Sequence, residues 1–260
     1  MVRRGRVSDP AIFPPKPDLS PRARCDGYDR TGPTVRRVAR LLAFGATCAA
    51  LPLGAQEGAP PFTIAQLQYD GGGDWYANPS ALPNLLTAIH DRTGIPVALG
   101  PRVDIRLTDP CLRDFPYVYL TGHGNISLSD REVLILREYL LEGGFLHADD
   151  NYGLDESFRR EMERVFPEKE MVELPPKHAL YHMFYDLPEG IPKIHEHDGK
   201  APQGFGIFDR GRLLVFYSYE SDLGDGWENP AVHKDPPEAR ETALRMGVNL
   251  FLYVLSQQVP

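Results

Sequence analysis

Cysteine is scarce, with only Cys25, Cys48 and Cys111 in 260 residues, and two of the three lie in the first fifth of the chain. A disulfide-dense scaffold is therefore excluded, and stability must come from a sizeable apolar core. Tryptophan occurs twice, and charged residues interrupt every long apolar stretch, which excludes a polytopic membrane protein. Basic charge is short where it would matter for nucleic acid. Residues 1–55 hold ten Lys and Arg against four Asp, whereas residues 56–260 hold 18 basic and 32 acidic residues. A body this acidic repels a phosphate backbone, so nucleic acid is not expected as a partner. Nucleophile motifs are missing too: there is no Gly-X-Ser-X-Gly, no Gly-X-Cys-X-Gly, no GxxxxGK phosphate loop and no GxGxxG after the first strand.

What is present begins with an export pattern. Val35 to Arg40 is basic, Leu41 to Leu53 is uncharged and too short to span a bilayer, and Gly54-Ala55-Gln56 offers small residues for cleavage. Residues 35–55 read as a signal peptide, with an uncleaved membrane anchor as the alternative. Residues 1–34, rich in Pro, Arg and Gly, read as disordered or as preceding the true start near Val35. Residues 56–260 are expected to form one α/β domain in the periplasm or cell envelope. With the leader removed Cys111 is left alone, buried, and no internal disulfide is expected.

From Phe62 onward, strands alternate with helices, which is the signature of a layered domain with a mainly parallel sheet. Strands are expected at Phe62 to Tyr69, Pro96 to Leu99, Phe115 to Leu120, Phe145 to Ala148 and Met171 to Leu174. Gly204 to Phe208 and Leu213 to Tyr219 should form a hairpin about Asp209-Arg210-Gly211. Ser80 to His90 should bury Leu82, Leu85, Leu86 and Ile89 as a helix. Ser129-Asp130-Arg131-Glu132 is a capping box opening a helix with Val133, Leu136, Leu140 and Leu141 inward, stopped by Gly143-Gly144. Asp155 should cap a helix reaching Val165. Leu244, Val248, Phe251, Leu252 and Leu255 mark a closing helix.

In open α/β sheets, ligands bind beyond the carboxyl ends of the strands, so polar residues there are the candidates. They include Asp70, Asp74, His123, Asn125, Asp149, Asp150, Asn151, Ser218, Glu220 and Asp222. Asp149-Asp150 could bind a divalent metal, share a proton or cap a helix. His147 could occupy either the core or a site. His178 and His182, four apart, would share a face on a helix, and His195 and His197 would share a face on a strand. His233 shows no specific pattern.

Gly71-Gly72-Gly73-Asp74-Trp75, Tyr119 to Gly124, Tyr139 to Asp150, His178 to His182 and Arg212 to Ser218 together resemble the bacterial family of domain of unknown function 4159, over about Phe62 to Leu255. The resemblance implies a flavodoxin-like three-layer sandwich of the class I glutamine amidotransferase type. It also implies that the turn that carries the nucleophilic cysteine in amidotransferases here reads Asp149-Asp150-Asn151, so thiolate-driven glutamine hydrolysis is not expected. Membrane-anchored von Willebrand-type proteins and AAA ATPases are the partners that the resemblance suggests. Two functions follow as expectations. One is a non-catalytic envelope module binding a ligand or protein through Asp74, His123, Asn125, Asp149, Asp150, Asn151 and Glu220. The other is a hydrolase holding a divalent metal on His123, Asp149 and Asp150, with His147 or Asp150 as the catalytic base.

Overall fold

A computed structural model describes residues 62–195 and 199–257. The expected leader, residues 35–55, and the segment before it lie outside the described residues. The strands are β1 (Ile64–Leu67), β2 (Val103–Ile105), β3 (Tyr117–Gly122), β4 (Phe145–Asp150), β5 (Val172–Glu173), β6 (Gln203–Asp209) and β7 (Arg212–Tyr219). They form a seven-stranded sheet in the order β2-β1-β3-β4-β7-β6-β5. From β2 through β7 the pairing is parallel, and β6 and β5 add an antiparallel edge. Counted among themselves, the parallel strands run 2-1-3-4-5, the flavodoxin-like order, and the order reverses between β1 and β3.

The helices are α1 (Ala81–Thr93), α2 (Asp130–Leu141), α3 (Asp155–Val165), α4 (Leu223–Trp227), α5 (Pro230–His233) and α6 (Pro237–Ser256). Two apolar clusters fill the space on either side of the sheet. On one face Leu136 and Leu140 of α2 and Phe158 and Met162 of α3 join Val118, Leu146 and Tyr217. On the other, Leu82 and Leu85 of α1 and Val248 and Phe251 of α6 join Tyr117, Tyr119, Phe145 and Phe216, with Trp227. The result is a three-layer sandwich. No helix among the described residues is long and apolar enough to cross a membrane.

Local signals explain most boundaries. The Ser129 hydroxyl accepts from Glu132 N–H while the Glu132 carboxylate accepts from Ser129 N–H, so the capping box forms as expected. Gly94 takes the left-handed conformation that ends α1, at φ 70°. Several expectations need correction. Pro96 to Leu99 forms no strand, since Val97 makes only an isolated bridge with Phe62, and the edge strand is Val103–Ile105 instead. Leu141 is exposed, because it falls past the inward stripe of α2. Asp155 is the first helical residue rather than the cap; Asp150 Oδ1 accepts the Leu154 N–H at 3.3 Å and the Tyr152 N–H at 3.2 Å. Cys111 is buried as expected.

Replacing Ser129 by Ala should remove one arm of the capping box and cost about 1 kcal/mol. Urea unfolding of the full chain, compared with the wild type, measures that loss.

Candidate functional site

Period-two alternation along β4 sends Phe145, His147 and Asp149 to the α1/α6 face and Leu146, Ala148 and Asp150 to the α2/α3 face. The adjacent carboxylates are therefore split across the sheet, which removes the geometry of a shared proton or a shared metal. Each is used separately. Asp150 binds backbone N–H groups ahead of α3, as described above. Asp149 is fully buried and receives four donors: Tyr119 Oη at 3.0 Å, Ser218 Oγ at 2.5 Å, Leu223 N at 3.2 Å and Gly224 N at 2.7 Å.

His147 extends this network. Its Nδ1 lies 3.2 Å from Tyr117 Oη and its Nε2 2.9 Å from Ser218 Oγ, inside a cage of Tyr119, Phe216 and Trp227 rings. One proton order satisfies every group: Tyr117 donates to Nδ1, Nε2–H donates to Ser218, and Ser218 donates to Asp149. Burial pushes His147 down to about 3, so the imidazole is neutral. Burial pushes Asp149 up to about 6, and its hydrogen bonds hold it from rising further. His147 thus belongs to the core rather than to an open site.

The reversal of strand order between β1 and β3 places the loops after these strands side by side. Gly73 N–H donates to Asn125 O at 2.9 Å, Asp74 N–H to His123 O at 3.3 Å, Ser127 N–H to Asp70 O at 2.7 Å and Asn125 Nδ2 to Gly71 O at 3.0 Å. A Cβ on Gly122 would lie 2.4 Å from Tyr69 Oη, so only glycine allows this approach. Because Gly73 and Asp74 spend their N–H groups on β3-loop carbonyls, this glycine run is not a phosphate cradle. Asp74 instead grips His123, accepting its backbone N–H and approaching its Nδ1 at 3.1 Å, and this hydrogen bond raises the His123 imidazole above its ordinary value. His123 stays half exposed beside Tyr152, whose carbonyl accepts Gly124 N–H at 3.2 Å. Tyr152 is itself 53 % exposed and held at φ 124°, a strained conformation for a bulky residue.

The chain leaving β4 therefore buries Asp150 and Asn151 and exposes Tyr152, with Asn151 Oδ1 accepting from Thr121 Oγ1 at 2.8 Å. Residues 63–255 match the family described as Domain of unknown function (DUF4159). The chain belongs to that family. No curated protein matches it.

Other candidates in this DUF4159 domain are brought together differently from expectation. Glu220 is buried and paired with Lys193 Nζ at 2.9 Å. His178 and His182 do not share an α-helical face. His178 precedes a 3-10 turn and accepts Leu180 N–H, while His182 contacts Asp186 and the Pro176 carbonyl. His195 lies in a loop rather than a strand, and His197 lies outside the described residues. Among the described residues, the group whose donor atoms all lie within 4.8 Å of one another is His195, Asp225 and His233. Sequence spacing hid it, because Asp225 sits in a short helix and His233 carried no motif.

His147 and Asp149 act oppositely on acid stability. A neutral buried His147 loses stabilising power as pH falls from the unfolded 6.5 toward about 3. Asp149, raised from 3.8 to about 6, gains it as pH falls through about 6 toward 3.8. In Asp149→Asn the His147 loss should stand uncovered, so stability should fall between pH 6 and 4 by up to about 1.4 kcal/mol more per pH unit than in the wild type. Denaturant titrations across that range measure the slope, and an unchanged slope would contradict the assignment.

Proposed function

We propose that this chain is a non-catalytic binding module, exported to the cell envelope, on an amidotransferase-like scaffold that has lost its nucleophile. The supporting observation is the turn after β4. No cysteine, serine or threonine stands there; Asp150 is committed to backbone N–H groups, and Asp149 is committed to four donors on the opposite sheet face. A strand end arranged this way holds its polar groups still instead of offering one to a substrate.

The contact surface is the rim where sheet order reverses, around His123, Asn125 and Tyr152. The imidazole is half exposed and biased toward its charged form by Asp74, and the tyrosine offers a large ring with a polar tip, a combination suited to protein recognition. Partners are von Willebrand-type or AAA ATPase-linked envelope proteins, as the family resemblance implies. Export through the 35–55 leader delivers the acidic body to that compartment.

Co-expression of the full chain with a von Willebrand-type partner from the same genome tests this reading. The His123→Ala/Tyr152→Ala double variant should lose co-purification while its melting temperature stays within about 2 °C of wild type. Asp150-dependent turnover of glutamine or of ester substrates, or co-purification indifferent to the double variant, would overturn it. N-terminal sequencing of the periplasmic protein should begin near Gln56.

A further inference from the structure

We infer that His195, Asp225 and His233 form a binding site for a zinc-type divalent cation, held by two imidazole nitrogens and one carboxylate oxygen. Both Nδ1 atoms face the same oxygen, with His195 at 3.4 Å and His233 at 3.3 Å from Asp225 Oδ2. Those separations exceed the roughly 2.9 Å of a well-formed N–H···O bond. They equal the edge of a tetrahedron whose metal–ligand bonds are about 2.0–2.1 Å long, which works out at roughly 3.3–3.4 Å. The two rings stand at 89° with centroids 6.1 Å apart, so they approach the oxygen from different directions rather than stacking.

The carboxylate is aimed by its surroundings. Asn78 Nδ2 donates to Asp225 Oδ1 at 2.8 Å, which turns the other oxygen toward the imidazoles, as partners behind a metal ligand commonly do. Asp149 fixes the first turn of α4 by accepting Leu223 and Gly224 N–H, and Asp225 is the next residue. Gly226 lets α4 close against its neighbours, since a Cβ there would lie 2.4 Å from Ala243 Cβ and 3.1 Å from Ile194 Cγ2. That approach brings the His195 loop onto Asp225, and Ile194 N–H bonds Ser221 O at 2.9 Å to hold it. Asp235 acts on His195 through space, and its Oδ2 is buried with no hydrogen-bond partner.

An ordinary imidazolium–carboxylate cluster is the competing account. It would place two positive rings on one oxygen, each at a poor hydrogen-bond distance. Neutral imidazoles about a cation satisfy the same oxygen and both nitrogens together. Two nitrogens and one oxygen suit zinc over calcium or magnesium, and three protein ligands leave a fourth position for water or an external anion. This site goes beyond the binding-module reading, which stands or falls on the His123 and Tyr152 rim.

The test is zinc titration of the full chain, carrying no polyhistidine tag, against a chromophoric chelator at pH 7.5. One equivalent should bind, and Asp225→Asn and His233→Ala should each weaken binding at least tenfold, whereas His178→Ala/His182→Ala should not. Zinc should raise the melting temperature of the wild type and of the His178→Ala/His182→Ala control well above any effect on Asp225→Asn or His233→Ala. Absence of stoichiometric zinc, or zinc retained equally in both single variants, would overturn the assignment. If Asp225→Asn loses cooperative melting, His233→Ala decides, since His233 lies at the end of the short helix α5.

Discussion

A single buried carboxylate organises the end of the sheet. Asp149 stands at the carboxyl end of β4 and gathers donors from β3 through Tyr119, from β7 through Ser218 and from the first turn of α4. An ionised group at 0 % exposure is costly to desolvate, and each missing donor would leave that cost uncovered. The four donors must therefore stay in register, which fixes how β3, β4, β7 and α4 meet. Gly224 is part of this constraint, because a Cβ there would lie 2.5 Å from Tyr119 Oη and 2.8 Å from Asn78 Nδ2.

His147 makes the arrangement cooperative. Its ring has no route to water, and its neutral form passes a directed chain of hydrogen bonds from Tyr117 to Ser218 and on to Asp149. Burial also holds the Tyr117 and Tyr119 phenols well above 10, so both remain donors throughout the pH range in which Asp149 titrates. A charged histidine would carry a proton on Nδ1 as well and set that donor against the Tyr117 hydroxyl, while its Nε2–H still faced Ser218. The desolvation that lowers His147 and the desolvation that raises Asp149 are one physical cause acting on groups of opposite charge type.

The sequence made the fold legible where local chemistry and periodicity agreed. The capping box at Ser129, the left-handed Gly94 and the stripe on α1 each carried their own signal, and the parallel order followed from alternating elements. Val103–Ile105 was not legible, because three residues at an edge, two of them half-buried and one of those Asp104 paired with Arg102, are too few to show an apolar alternation. The spatial placement of the strand-end candidates was not legible. Alternation along β4 continued two residues past Ala148, so Asp149 and Asp150 became strand residues on opposite faces rather than a turn. His195, Asp225 and His233 were illegible as a set because they come from a loop and two short helices, brought together by tertiary contacts that no spacing rule records.

The way this acidic body neutralises its buried carboxylates bears on that last group. Glu161 sits against Arg160 and Arg164, and Glu220 against Lys193, cations that keep their charge at any physiological pH. Asp149 and Asp150 rely on neutral donors. Asp225 faces two histidines, side chains that can neutralise it as cations or serve as neutral ligands. A permanent salt bridge would have stabilised Asp225 more simply. Pairing it with imidazoles, with Asn78 occupying its other oxygen, leaves the charge available to a divalent cation without otherwise rearranging the fold.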